Sequence, residues 1–263
     1  MWAVMPGQAV LHPGTMTQPL RALRDLIWPA TCVACSRAGQ ILCVECALDI
    51  MRVQSPRWHA PDPCPTSFPP TVAWGDYTGA LRRVVVAHKD EDRLDAGRLL
   101  AGPLAEVLTL ALDGLLDPVL VPVPSSVRSR HRRGRDPVIE IIRQVRLARD
   151  VPVVPVLRQR RRVADQSRLD HTARRSNLHA ALELRRRWGG VLHGKDVVIV
   201  DDVVTTGATL AEATRALLEH RDEAAVRTVC AAVICATQRR DATDERRGGD
   251  EASGDLPPVP LLD

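Results

Sequence analysis

Two adjacent carboxylates followed, after a two-residue spacer, by a threonine-glycine run give this chain its clearest chemistry. Residues 197–210 read VVIVDDVVTTGATL. The first four have the β-branched, wholly apolar composition of a buried strand, and residues 208–220 have helical spacing. Asp201 and Asp202 therefore fall at the carboxyl end of a strand, where α/β sheets place their ligands. After them Val203, Val204, Thr205, Thr206, Gly207, Ala208 and Thr209 lead into the start of a helix. Backbone N–H groups there are unpaired donors at the positive end of the helix dipole, and Gly207 lets the backbone approach a ligand closely. Such a turn suits a phosphate. Carboxylates beside it suit the vicinal hydroxyls of a sugar, which donate hydrogen bonds to acidic acceptors. A ribose 5-phosphate satisfies both halves, with its phosphate on the turn and its 2- and 3-hydroxyls on Asp201 and Asp202. The competing reading is an ordinary strand-loop-helix in which Asp and Thr act only as caps; it leaves the coincidence of Asp-Asp, spacer, Thr-Thr-Gly and Thr without a cause.

A second constellation lies near the N-terminus. Cys32 and Cys35 form one CxxC pair and Cys43 and Cys46 another, with seven residues between the pairs. Four thiolates at this spacing can close a tetrahedron around Zn²⁺, and so small a segment has no core of its own without it. The zinc is expected to be structural, since all four positions are filled by protein; buried or free thiols are the alternative. The total of seven Cys is odd, which argues against a disulfide framework. Cys64 is followed by Ser67 where a further CxxC would need Cys, and Cys230 and Cys235 lie in an apolar run that reads as core.

A third candidate is the basic stretch holding Arg128, Arg130, Arg132 and Arg133, which follows an apolar run, VLVPVP, at residues 119–124. Arg binds phosphate bidentately, so the cluster can neutralise a polyphosphate; a solvated basic patch is the plainer reading. Arg richness alone is weak evidence for nucleic acid here. Nearly every basic residue is Arg, with only Lys89 and Lys195 as Lys, and Ala and Val are abundant, the mark of GC-rich coding. Aromatic residues make up 3% of the chain, too few for the stacking that sequence-tolerant single-strand binding relies on.

The elements that must position these groups follow from apolar periodicity. A strand is expected at residues 71–77, a helix at 78–88, and a long helix at 97–116 that Pro103 kinks or begins afresh. A buried strand at 119–124 leads into the basic loop, and Asp136 before Pro137 signals a capped helix with Val138, Ile141, Ile142 and Val145 on its buried face. Residues 151–157 suggest an edge strand, because Pro152 and Pro155 cannot donate to a ladder, and 226–236 a last buried one. Alternating strands and helices indicate the α/β class, a parallel sheet flanked by helices with a small N-terminal four-cysteine zinc module. The organisation expected is a flexible N-terminus at 1–20, the zinc module at 21–54, a Pro-rich linker at 55–70, the main domain at 71–236 and a disordered tail at 237–263. No apolar run reaches the roughly 18 to 20 residues of a membrane span, and the N-terminus lacks a signal-peptide pattern, so a cytoplasmic protein is expected.

The DDVVTTGAT segment resembles the PRPP-binding motif of type I phosphoribosyltransferases, PRPP being 5-phosphoribosyl-1-pyrophosphate. The likeness widens to VPVP with its Arg-rich loop and RG, to Gln166, Arg174 and Asn177, and to the paired N-terminal cysteines, so that residues 25–236 resemble the ComF (competence protein F) family. The resemblance implies PRPP bound with Mg²⁺, catalytic carboxylates at Asp201 and Asp202, and an unidentified nitrogen acceptor. It implies a pyrophosphate loop at Pro124, Ser125, Ser126, Arg128, Arg132 and Arg133, and a substrate loop carrying Gln166, Arg174 and Asn177. Two other functions are compatible with it: a PRPP- or nucleotide-binding regulator without turnover, and an accessory of DNA uptake that holds single-stranded DNA or competence proteins. A homodimer is left open. The chain departs from the family pattern at Arg135 and Pro137, where relatives usually carry an aromatic or apolar residue and a Gln.

Overall fold

The computed structural model describes residues 30–52, 55–91, 93–125, 134–160, 181–219 and 225–238. In chain order the elements are α1 (Val44–Met51), β1 (Arg57–His59), β2 (Thr71–Asp76), α2 (Gly79–Asp90), α3 (Leu94–Ala111), β3 (Pro118–Pro122), α4 (Pro137–Ile142), β4 (Leu157–Gln159), β5 (Leu182–Leu184), a 3-10 stretch (Arg186–Leu192), β6 (Asp196–Val204), α5 (Ala208–Leu218) and β7 (Thr228–Ala236). The main sheet has the order β1-β2-β7-β6-β3. Its β2, β7, β6 and β3 are parallel, and β1 pairs antiparallel at the β2 edge. β4 and β5 form a separate antiparallel hairpin.

A parallel sheet needs cover on both faces, and the strand residues sort accordingly. Val198, Val200, Cys230, Ala232 and Ile234 pack with the apolar faces of α2, α3 and α4. Val197, Ile199, Ala231 and Val233 pack with Leu210, Ala213 and Leu217 of α5 and with the β4–β5 hairpin. This is the mixed α/β arrangement, with a mostly parallel central sheet, that the alternating pattern implies. Among the described residues no helix is long and apolar enough to cross a membrane.

Several local expectations differ from the structure for identifiable reasons. The long helix is one piece, beginning at Leu94 and running through Pro103. Pro103 removes one backbone bond at about 3 kcal/mol, but Leu100, Leu104, Val107 and Leu108 are buried on both sides of it, at about 1.5–3 kcal/mol each. Residues 151–156 do not form a strand, and β4 begins only at Leu157. Pro152 and Pro155 leave few donors, and the segment meets β3 through two bonds only, Leu120 N to Pro152 O and Val154 N to Leu120 O, both 2.8 Å. Asp136 precedes α4, yet its side chain makes no cap; its Oδ2 accepts from Ser125 N instead, and Val145 lies past the helix end.

The Pro-rich stretch expected to be a linker lies against the sheet. Arg57–His59 pairs with β2, Ala231 N donates to Pro70 O, and Thr71 Oγ1 donates to Pro69 O. Its prolines sit where no ladder donor is required, at the outer edge and before the first parallel strand. The cysteine segment also shares the main core: Cys32, Val33, Cys43 and Cys46 belong to the same buried cluster as α2 and α3. Residues 1–29 and 239–263, read above as a lead-in, part of the zinc module and most of the tail, lie outside the described residues.

Candidate phosphate and metal sites

β6 is longer than its apolar run suggests, and this places the carboxylate pair. It pairs with β3 only as far as Val200 opposite Pro122, but with β7 as far as Val204 opposite Ala236. Asp201 and Asp202 therefore stand within the strand but beyond the point where β3 has turned away, at the crevice formed by the carboxyl ends of the strands. Strand alternation sends the two side chains to opposite faces. Asp202 is 4% exposed and meets Lys89 from the last turn of α2, whose Nζ lies 2.9 Å from both carboxylate oxygens. Asp201 accepts from the backbone N of Asp202 at 2.9 Å. Burial, and then the neighbouring Asp202 charge, push the Asp201 carboxyl well above its ordinary range, with Lys89 pulling the other way. Burial draws Lys89 down, but the Asp202 charge and hydrogen bond outweigh it and hold the ammonium above its usual value.

The turn after β6 is shaped by one glycine. Gly207 caps α5 with φ of 73°, a left-handed conformation. A Cβ there would lie 2.7 Å from the Phe68 ring and 2.8 Å from Pro61. The Pro-rich segment is thus pressed against the back of the turn, and the backbone is held where α5 begins. Thr205 and Thr206 are exposed and Val204 is buried. A cavity of about 490 Å³ opens beside the turn, lined among others by Thr205, Thr206, Ala208, Asp62, Cys64 and Gln238.

Of the residues expected to receive pyrophosphate, Pro124 and Ser125 are described, while Ser126, Arg128, Arg132 and Arg133 lie outside the described residues. The two ends of that loop are joined by the 3.3 Å bond from Ser125 N to Asp136 Oδ2. Arg135, one of the departures from the family pattern, is turned into the protein: it pairs with Glu140 and donates to His88 O at 2.7 Å. Pro137 occupies the first position of α4, where a missing N–H costs nothing. Gln166, Arg174 and Asn177 also lie outside the described residues. The hairpin from which they emerge is closed by Arg160 N to Ala181 O at 2.9 Å. It is clamped to α5 by buried Glu212, which accepts from Leu182 N, and by Arg215, which pairs with Glu212 and donates to Leu182 O.

The four N-terminal cysteines converge. All four sulfurs lie within 4.8 Å of one another, and Cys35 Sγ is 3.6 Å from Cys43 Sγ. Four sulfurs around Zn²⁺ at about 2.3 Å stand roughly 3.8 Å apart, so the cluster fits such an ion. None of the four is in a disulfide. Burial pushes the Cys32 thiol up, but the N–H groups of Cys43, Ala34 and Cys35 draw it down to about 6; burial and the other sulfurs push Cys46 up to about 12. The cluster can hold a structural metal ion.

Two contributors escaped the sequence reading. Lys89 is one of two lysines in an otherwise Arg-based chain, and Phe68 is its only Phe. Rarity of type was the available signal. Among curated proteins no match to the chain is found. Residues 131–252 match the family model described as phosphoribosyl transferase domain; they contain β6 with its carboxylates, the Gly207 turn and β7, and the α/β unit built on them is phosphoribosyltransferase-like.

Proposed function

We propose that this protein binds PRPP, with Mg²⁺, at the carboxyl end of β6 and transfers its phosphoribosyl group to a nitrogen acceptor. The observation that carries the reading is the pair Asp201 and Asp202 standing beyond the end of β3, four residues before the left-handed Gly207 that opens α5. The 5-phosphate takes the N–H groups of residues 203–209, and the ribose hydroxyls take the carboxylates. As the bond from C1 to pyrophosphate oxygen breaks, positive charge builds on the ribose ring, and Asp201 and Asp202 stabilise it. The acceptor nitrogen forms the new bond to C1 and loses its proton to solvent. Pro124, Ser125, Ser126, Arg128, Arg132 and Arg133 receive the pyrophosphate. Mg²⁺ would add neutralisation of the pyrophosphate charge. The cavity beside Thr205 and Thr206 lies at the turn assigned to the 5-phosphate, and Gln166, Arg174 and Asn177 are assigned to the substrate loop.

The same reading makes the chain a relative of the ComF family, with a structural Zn²⁺ on Cys32, Cys35, Cys43 and Cys46. The test is pyrophosphate release on mixing the protein with PRPP, Mg²⁺ and a panel of nitrogenous bases and amines. Release with one acceptor establishes the transferase. Binding without release for any acceptor leaves a PRPP-binding regulator. Changing Asp201 and Asp202 to Asn should weaken PRPP by about 1.5–3 kcal/mol each, through loss of charge-assisted hydrogen bonds. Unchanged affinity in the double variant would remove the carboxylates from the site.

A further inference from the structure

The Lys89–Asp202 pair turns its two members toward the crevice unequally. The Asp202 side chain is 5% exposed and the Lys89 side chain 43%. Lys89 Nζ lies 2.9 Å from each carboxylate oxygen. A carboxylate has about four lone-pair sites and an ammonium three N–H donors, so these contacts leave about two acceptor sites on Asp202 and one donor on Lys89. Whatever reaches the remaining sites of Asp202 comes in beside the exposed ammonium. Both groups are thus open to one ligand atom.

The lysine is held in place by what surrounds it. Lys89 lies in the last turn of α2, whose first turn is fixed by Asp49 Oδ2 accepting from Ala80 N at 2.8 Å. At the other end the His88 carbonyl accepts from Arg135 at 2.7 Å, and Arg93, just past the helix, donates to Thr31 O at 3.0 Å. Burial draws the Lys89 ammonium down, but the charges of Asp202 and then Asp201 hold it above its usual value. The donor is therefore placed and charged before any ligand arrives.

The pair as a whole carries no net charge, and that restricts what it can hold. A phosphate oxygen only accepts and is repelled by Asp202; an amine cation only donates and is repelled by Lys89. A sugar hydroxyl does both through one oxygen. We infer that Lys89 is a sugar-binding residue that forms a clamp with Asp202: one ribose hydroxyl donates a hydrogen bond to the carboxylate and accepts one from the remaining N–H of the lysine, with the ion pair left intact. The inference rests on the PRPP reading, in which the 2- and 3-hydroxyls reach this strand end. It adds that the site tells ribose from a deoxy sugar through Lys89 as well as through Asp202, because a missing hydroxyl leaves both groups one partner short.

The experiment is calorimetric titration of the wild type, Asp202→Asn and the double variant Lys89→Met with Asp202→Asn, using ribose 5-phosphate and its 2-deoxy and 3-deoxy analogues. Neither variant leaves an unpaired carboxylate buried at position 202, which is what Lys89→Met alone would do. The wild type should prefer ribose 5-phosphate to the analogue that lacks the clamped hydroxyl by about tenfold or more, the worth of hydrogen bonds to charged groups. Asp202→Asn should keep at least about a threefold preference, because Lys89 still donates. The double variant should bind the two sugars alike. The same preference in Asp202→Asn and the double variant, whatever its size, would make Lys89 a counter-ion only and overturn the clamp. So would a wild type that binds ribose 5-phosphate no more tightly than either analogue, a result that needs no variant. A wild type without affinity for ribose 5-phosphate sinks the PRPP reading itself, and the clamp with it.

Discussion

The cysteine cluster and the end of β6 are two sites built by opposite means and joined by one helix. The cluster draws all its ligands from residues 32–46, a local stretch in which each CxxC pair sets its own geometry. The strand-end site joins Lys89 to Asp202 across 113 positions of sequence and has Phe68 of the Pro-rich segment behind Gly207. Between them runs α2. Its first turn is held by Asp49 of α1, whose Oδ2 accepts from Ala80 N at 2.8 Å, and its last turn delivers Lys89. A site that is local in sequence is thus the foundation for part of a site that is not, because the same helix is anchored at one end and used at the other.

The comparison breaks most visibly if the cluster is removed. Replacing Cys32 and Cys43 by Ser should abolish one equivalent of bound zinc, measured by elemental analysis, with a loss on the order of 10 kcal/mol of metal-linked folding energy from the segment. Because Cys32, Val33 and Cys43 pack in one core with α2 and α3, the damage should reach beyond residue 52. Limited proteolysis should then cut within α2 as well as before it. Cleavage confined to residues 30–52, with an unchanged melting temperature for the remainder, would show that the two regions are independent.

Gly207→Ala probes the other site alone. The methyl would enter the space of Phe68 and Pro61 with the backbone in a left-handed conformation, so a destabilisation of about 1–3 kcal/mol is expected, together with loss of PRPP binding. The companion Phe68→Ala should make room and restore part of the stability of Gly207→Ala, a coupling that a double-mutant cycle in urea measures. Strict additivity would mean that the Pro-rich segment does not hold the turn.

Asp49→Ala tests the joint. It removes the side-chain acceptor at the start of α2 and should cost about 1 kcal/mol in urea unfolding. The zinc content should stay at the wild-type level, since no cysteine is touched. Zinc lost along with stability would place Asp49 in the cluster and not in the joint.

A last test lies at the far end of β6. Asp196 is buried, though burial alone would raise its carboxyl; Arg227 and the N–H groups of Asp117 and Leu116 draw it down to about 2. A depressed carboxylate adds stability above its unfolded pKa of roughly 4 and loses it as pH falls toward the folded value. The unfolding free energy of the wild type, measured in urea, should therefore drop between about pH 4 and pH 2, by at most about 2 kcal/mol from this group. Asp196→Asn should flatten that part of the profile and leave zinc content unchanged. An identical slope in the variant would assign the acid sensitivity to other carboxylates.

What the chain carried openly was whatever depends on neighbours in sequence. Two CxxC pairs, the apolar runs of β6 and β7, and the Asp-Asp and Thr-Thr-Gly pattern reveal themselves because chelation, strand alternation and helix starts are set within a few residues. The tertiary structure decided the rest. Pro103 gave no hint that its helix would continue, since the burial that outweighs it comes from the sheet. The prolines of residues 55–70 marked a linker by composition, yet Arg57–His59 within that stretch joins a sheet edge that only the assembled strands create. Arg135 read only as a departure from the family pattern, but it is spent inside on Glu140 and the His88 carbonyl. Lys89 belonged to an amphipathic helix like any other until packing brought α2 against the end of β6. Local chemistry is written in spacing, while the partner of a buried charge is chosen by which elements the core presses together.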